Sequence, residues 1–140
     1  MNNSKAKIIA VANQKGGVAK TTSVINIGAG LALRSKKILL VDTDNQSHLS
    51  RFLGYDGTDG KPTISELIWQ TVSKVQKPVS EAIRKSELGV DYIPSNFMLV
   101  FVFVRTGSIV PCIVFHWELL QQAQQEASTV YSLRYLPATL

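Results

Sequence analysis

The sequence predicts an α/β fold, a mostly parallel sheet flanked by helices, and three observations carry that prediction. The apolar, β-branched run Ile8-Ile9-Ala10-Val11-Ala12 is bounded by Asn13 and a glycine pair, so it predicts a buried strand ending in a tight loop. From Thr21 onward, Val24, Ile25, Ile27, Gly28, Leu31 and Ala32 recur at three- and four-residue steps, which predicts a helix. A second continuous apolar run, Ile38-Leu39-Leu40-Val41, predicts a strand buried on both faces, as parallel strands are.

Between the first strand and the helix lies Asn13-Gln14-Lys15-Gly16-Gly17-Val18-Ala19-Lys20-Thr21-Thr22. Strand, glycine-bearing loop and helix in that order make a phosphate-binding unit. Gly16 and Gly17 let the backbone approach a phosphate and turn its N–H groups inward, and the helix start adds the positive end of its dipole. Lys20 is then placed to reach β- and γ-phosphate oxygens, and the Thr21 hydroxyl to ligate Mg. The common pattern G-x-x-x-x-G-K-[ST] is not met, because Gln14 and Ala19 stand at its two glycine positions. A second lysine, Lys15, precedes the glycine pair instead.

Lys15-Gly16-Gly17-Val18-Ala19-Lys20-Thr21-Thr22 resembles the deviant P-loop, K-G-G-x-G/A-K-[ST], of the ParA/Soj-type partitioning ATPases, relatives of the MinD cell-division regulators. The resemblance runs from about Lys7 to about Asn96. It implies a P-loop NTPase fold that binds ATP and Mg through Gly16, Gly17, Val18, Ala19, Lys20, Thr21 and Thr22. It also implies that Lys15 reaches across a nucleotide-sandwiched homodimer to the partner's phosphates. Alanine at position 19 leaves room for a phosphate, and it is strained if the loop needs a positive φ there.

The chain has 140 residues, a one-domain length, with 45% apolar and 18% charged residues, as in a soluble globular chain. The N-terminus leads straight into the first strand without a signal-peptide pattern, which predicts a cytoplasmic protein. One cysteine, Cys112, excludes an intrachain disulfide and argues against an iron–sulfur or zinc site made by this chain alone. The net charge of +5 lies in residues 1–96, which hold 13 Lys+Arg against 8 Asp+Glu. Such a balance is compatible with sequence-independent contact to DNA phosphates, although Lys36, Lys37, Lys74, Lys77, Arg84 and Lys85 also read as solvated faces.

The second strand ends in Asp42-Thr43-Asp44-Asn45-Gln46. Two strands joined through a helix predict a parallel pair, which brings Asp42 and Asp44 beside the glycine loop at the strands' C-terminal ends. Carboxylates there can hold a Mg-bound water or orient an attacking one; capping of the next helix is the structural alternative. The segment resembles the family's D-x-D-P-Q, with Asn45 in place of proline. By that resemblance Asp44 positions the hydrolytic water and Asp42 supports the Mg shell, so the expected catalytic set is Lys15, Lys20 and Asp44 and the expected metal set Thr21 and Asp42.

Residues 47–53 predict a short helix stopped by Gly54, and residues 56–62 a surface loop rich in turn chemistry. Thr63-Ile64-Ser65-Glu66 matches a capping box that opens a helix ending by Pro78. Residues 79–86 predict a further helical turn or two. The strand at 90–93 runs into Pro94-Ser95-Asn96, which resembles the family's third strand and its turn near the nucleotide.

Beyond Asn96 the pattern changes. Residues 97–104 and 109–117 are apolar runs that would suit a hairpin, residues 117–127 suit a helix, and neither apolar run is long enough to cross a membrane. Similar proteins carry here a strand ending in a second Mg-supporting aspartate before two prolines; in this sequence Tyr135 stands there if Pro137 marks the turn. Charge and family pattern are lost together, so the expectation is a chain truncated or frameshifted after about Asn96. Residues 1–96 are then the deviant P-loop region and residues 97–140 an atypical apolar tail.

The function expected is a Mg-ATP-dependent dimer switch with slow hydrolysis, acting in plasmid or chromosome segregation with non-specific DNA and a partition partner protein. A MinD-like regulator would need a basic amphipathic C-terminal helix, and residues 117–127 have no basic face. A non-catalytic remnant would bind nucleotide weakly or not at all.

Overall fold

The computed structural model describes residues 7–13, 15, 17–73, 78–106 and 129–134. In chain order these form β1 (Lys7–Ala12), α1 (Lys20–Ala32), β2 (Ile38–Thr43), α2 (His48–Phe52) and α3 (Ile64–Ser73). A 3-10 turn (Val79–Ala82), β3 (Arg84–Lys85), β4 (Asp91–Ile93), α4 (Leu99–Thr106) and β5 (Thr129–Arg134) follow. The five strands make one sheet in the order β1-β5-β2-β4-β3. Every pairing is parallel except that of β3 with β4.

β2 is the middle strand, and its alternation divides the core. Leu39 and Val41 join Ile64, Leu67, Ile68, Ile93, Leu99 and Val102 on the face covered by α3 and α4. Ile38 and Leu40 join Val24, Ile25, Leu49, Leu53 and Tyr92 on the face covered by α1 and α2. A strand buried on both faces must be apolar at consecutive positions, which is why residues 38–41 form an unbroken run. Each leucine so removed from water contributes about 2 kcal/mol. At Gly28 an added Cβ would lie 3.1 Å from the Leu40 side chain, so the missing side chain lets α1 sit close over β2.

The capping box forms as its spacing predicts. The Thr63 N–H donates to the Glu66 carboxylate at 2.8 Å, and the Ser65 N–H donates to the Thr63 hydroxyl at 3.3 Å.

Four elements differ from the sequence expectation. β1 is an edge strand, with four of its six residues exposed and Ile9 at 40%, because no described strand lies beyond it. β1 and β2 are parallel through β5, which lies between them. Residues 97–104 are expected as a strand of an apolar hairpin, but residues 99–106 form α4, in which Leu99 and Val102 bury one turn apart against α3. The helical turns expected over 79–86 stop at Ala82, and Arg84 and Lys85 pair with β4 instead. Residues 107–128, with the expected second hairpin strand, Cys112 and the expected helix at 117–127, lie outside the described residues, as does Tyr135. None of the helices among the described residues is long and apolar enough to cross a membrane.

Candidate functional site

β1 ends at Ala12, and Asn13 turns the chain by accepting the Lys15 N–H on its side-chain oxygen at 2.9 Å. Gln14 and Gly16 lie outside the described residues. Gly17 has φ +70° and Ala19 φ +58°, both in the left-handed region. Position 19 thus meets the condition under which an alanine there is strained. Ala19 is also the N-cap of α1 and supplies no side-chain acceptor to it. Lys20 opens the helix, and its ammonium donates to the Lys15 carbonyl at 2.9 Å. Val18 is 41% exposed, and Thr21 is half-buried. Thr22 is exposed, and its carbonyl accepts the Asn26 side-chain amide at 2.9 Å.

Register fixes where the acidic pair stands. Ala12 and Thr43 both lie opposite Arg134 of β5. The glycine loop and Asp44 therefore leave the sheet at one level on either side of β5, about 10 Å apart at the usual strand spacing. Open parallel sheets bind their ligands at such C-terminal edges.

The two aspartates differ in what holds them. Asp42 is buried, and both its oxygens are engaged. Oδ1 accepts the Asp44 N–H at 3.0 Å, while Oδ2 accepts the Ser50 N–H at 3.0 Å and the Ser50 hydroxyl at 2.6 Å. Burial pushes its carboxyl above the ordinary value of 3.8, against the pull of the Ser50 hydroxyl bond. A carboxylate so enclosed anchors the loop that carries Asp44. Asp44 is 8% exposed and accepts the Gln46 N–H on Oδ1 at 3.0 Å.

Sequence reasoning missed Ser50. It lies eight residues from Asp42, a separation that no helical or strand period flags, and its hydroxyl also accepts the Ser95 N–H at 2.9 Å. Beside this network an open concavity of about 550 Å³ is lined by Asn45, Gln46, Arg51, Tyr55, Asp56 and Asn96 among others. Arg84, grouped by sequence with solvated bases, is 7% exposed. Its guanidinium pairs with Asp59 at 2.9 Å, donates to the carbonyls of Lys61, Pro62 and Ala82, and lies 5.5 Å from the Tyr55 ring centre. It ties the 55–62 loop to the sheet edge.

A mostly parallel sheet whose first strand leads through a glycine-bearing loop into a helix is the fold of the P-loop NTPases. The AAA domain family matches residues 6–110. The chain belongs to this family, in the group of the ParA/Soj-type partitioning ATPases. It is 37% identical over 108 residues to the chromosome partitioning protein ParA of Caulobacter vibrioides, covering 76% of this chain and 39% of that protein. It is 49% identical over 72 residues to the chromosome-partitioning ATPase Soj of Treponema pallidum, covering 46% and 28% respectively. The chain thus spans about two fifths or less of these relatives.

Among solved structures, cobyrinic acid a,c-diamide synthase from Mycobacterium smegmatis with bound ATP analog and magnesium superposes with TM-score 0.79 at 30% identity, over 91% of this chain and 50% of that one. The ATP complex of McdA from Cyanothece superposes with TM-score 0.80 over 95% and 50%, and at 24% identity it speaks for the fold alone.

Proposed function

We propose that this chain is the nucleotide-binding part of a partition-type ATPase, in which Mg-ATP acts as a dimer switch. The register that levels the glycine loop with Asp44 across β5 carries this reading. The main-chain N–H groups of residues 16–19 and the start of α1 surround the phosphates, with Lys20, Thr21 and Thr22 completing the cradle. On binding, the Lys20 ammonium exchanges the Lys15 carbonyl for phosphate oxygens, a stronger charge-assisted partner. The Thr21 hydroxyl would hold Mg, and Mg bound there would supply positive charge to offset that on the transferred phosphoryl group. Asp44 orients the attacking water, and Lys15 reaches the phosphates of a second copy, so that nucleotide joins two chains.

Slow hydrolysis then resets the switch, and ATP state governs affinity for non-specific DNA and for a partition partner protein; the family supports this part. The site lies within residues 1–96, and residues 97–140 add α4 and β5 to the layers around it. The working location is cytoplasmic, on nucleoid DNA.

Sedimentation of the purified chain with and without Mg-ATP tests the reading. The expected result is a nucleotide-dependent dimer that Lys20→Ala loses together with ATP binding and Lys15→Ala loses while still binding ATP. Equal dimerisation by Lys15→Ala and the natural sequence would remove the role in trans.

A further inference from the structure

Ser50 is fully buried on α2 and joins that helix to the ends of two strands. Its hydroxyl accepts the Ser95 N–H from the end of β4 at 2.9 Å and donates to Asp42 Oδ2 at the end of β2 at 2.6 Å. The Ser50 hydroxyl thus accepts one bond and donates one, and its proton is directed by the Asp42 carboxylate. The Ser50 N–H binds the same oxygen at 3.0 Å, so Oδ2 is clamped twice from one residue. The opposite oxygen, Oδ1, holds the Asp44 N–H at 3.0 Å. An unbroken chain of short hydrogen bonds thus leads from the turn after β4, through one hydroxyl and one carboxylate, to the peptide that presents Asp44.

We propose that Ser50 is a positioning residue for Asp44: by fixing the Asp42 carboxylate against α2 and β4, it sets the backbone direction at which Asp44 faces the glycine loop. The inference rests on the reading of Asp44 as the water-orienting carboxylate. Rotation of the Asp42 carboxylate by a few tens of degrees would release the Asp44 N–H, and misplacement of a reacting group by about 1 Å is enough to cost orders of magnitude in rate.

The test uses the full chain as Ser50→Ala, Ser50→Thr and, as a control that loses a different buried hydroxyl, Thr63→Ala at the cap of α3. Two quantities are read, hydrogen exchange at the Asp44 amide and single-turnover hydrolysis of bound Mg-ATP. Ser50→Ala is expected to speed Asp44 exchange about tenfold beyond any change in global stability, as loss of a buried hydrogen-bond partner does. Turnover should fall at least as far while Mg-ATP affinity stays within about twofold, the pattern of an interaction felt only in the transition state. Ser50→Thr keeps a hydroxyl and restores both quantities, and Thr63→Ala moves neither.

Unchanged Asp44 exchange in Ser50→Ala overturns the positioning role. Faster exchange with undiminished turnover overturns its catalytic consequence. Faster exchange in a chain whose natural sequence binds Mg-ATP but never hydrolyses it overturns the reading of Asp44 and leaves the geometric relay standing.

Discussion

The ammonium of Lys20 donates to the main-chain carbonyl of Lys15 at 2.9 Å, so the two lysines of the glycine loop are joined through the backbone of one and the side chain of the other. Lys15→Ala removes an ammonium and leaves that carbonyl in place. The substitution should therefore change folding stability by less than about 0.5 kcal/mol, as exposed substitutions do. Urea unfolding compared with the natural sequence checks it, and a loss several times larger would mean that the Lys15 side chain also supports the loop.

Ala19 caps α1 at φ +58°, where a Cβ is strained and glycine is not. Ala19→Gly should raise unfolding free energy by about 1 kcal/mol, the cost of one such residue. A lower urea midpoint would show that the alanine methyl has a packing role outweighing the strain.

Arg84 holds the 55–62 loop through Asp59 and three carbonyls. Arg84→Ala leaves those acceptors without a donor and should cost about 3 kcal/mol. A loss below about 1 kcal/mol would mean that water replaces the guanidinium there without difficulty.

The same pair gives a pH dependence. The Arg84 hydrogen bond holds the Asp59 carboxyl below its ordinary value of 3.8. A depressed carboxyl binds fewer protons folded than unfolded, so its contribution is complete above about pH 4 and fades as pH falls through the lowered value. Asp59→Asn should therefore destabilise the chain at pH 6 and approach the natural sequence near pH 2, in urea midpoints measured across that range. A constant difference at every pH would contradict the ionic origin.

These features were unequally legible in the sequence. β2 and the Thr63 cap were plain, because a strand buried on both faces must be apolar throughout and a capping box is set by local spacing. α4 was not, since its run of Val and Phe favours a strand and only burial of Leu99 and Val102 against α3 selects the helix. The exposure of β1 and the insertion of β5 depend on strand order, which apolar runs do not encode. At the candidate site, the loop and Asp44 were legible from residue types at fixed offsets. Asp42, Ser50 and Ser95 were not seen as a unit, because their hydrogen bonds join separate elements.

The central claim is that the loop between β1 and α1 surrounds a triphosphate, and calorimetric titration of Mg-ATP into this 140-residue chain tests it most directly. The account predicts saturable heat and, at about a hundredfold excess over Kd, about 2.7 kcal/mol of added stability, both lost in Lys20→Ala. Absence of heat and of any rise in Tm in a folded sample of the natural sequence would contradict it.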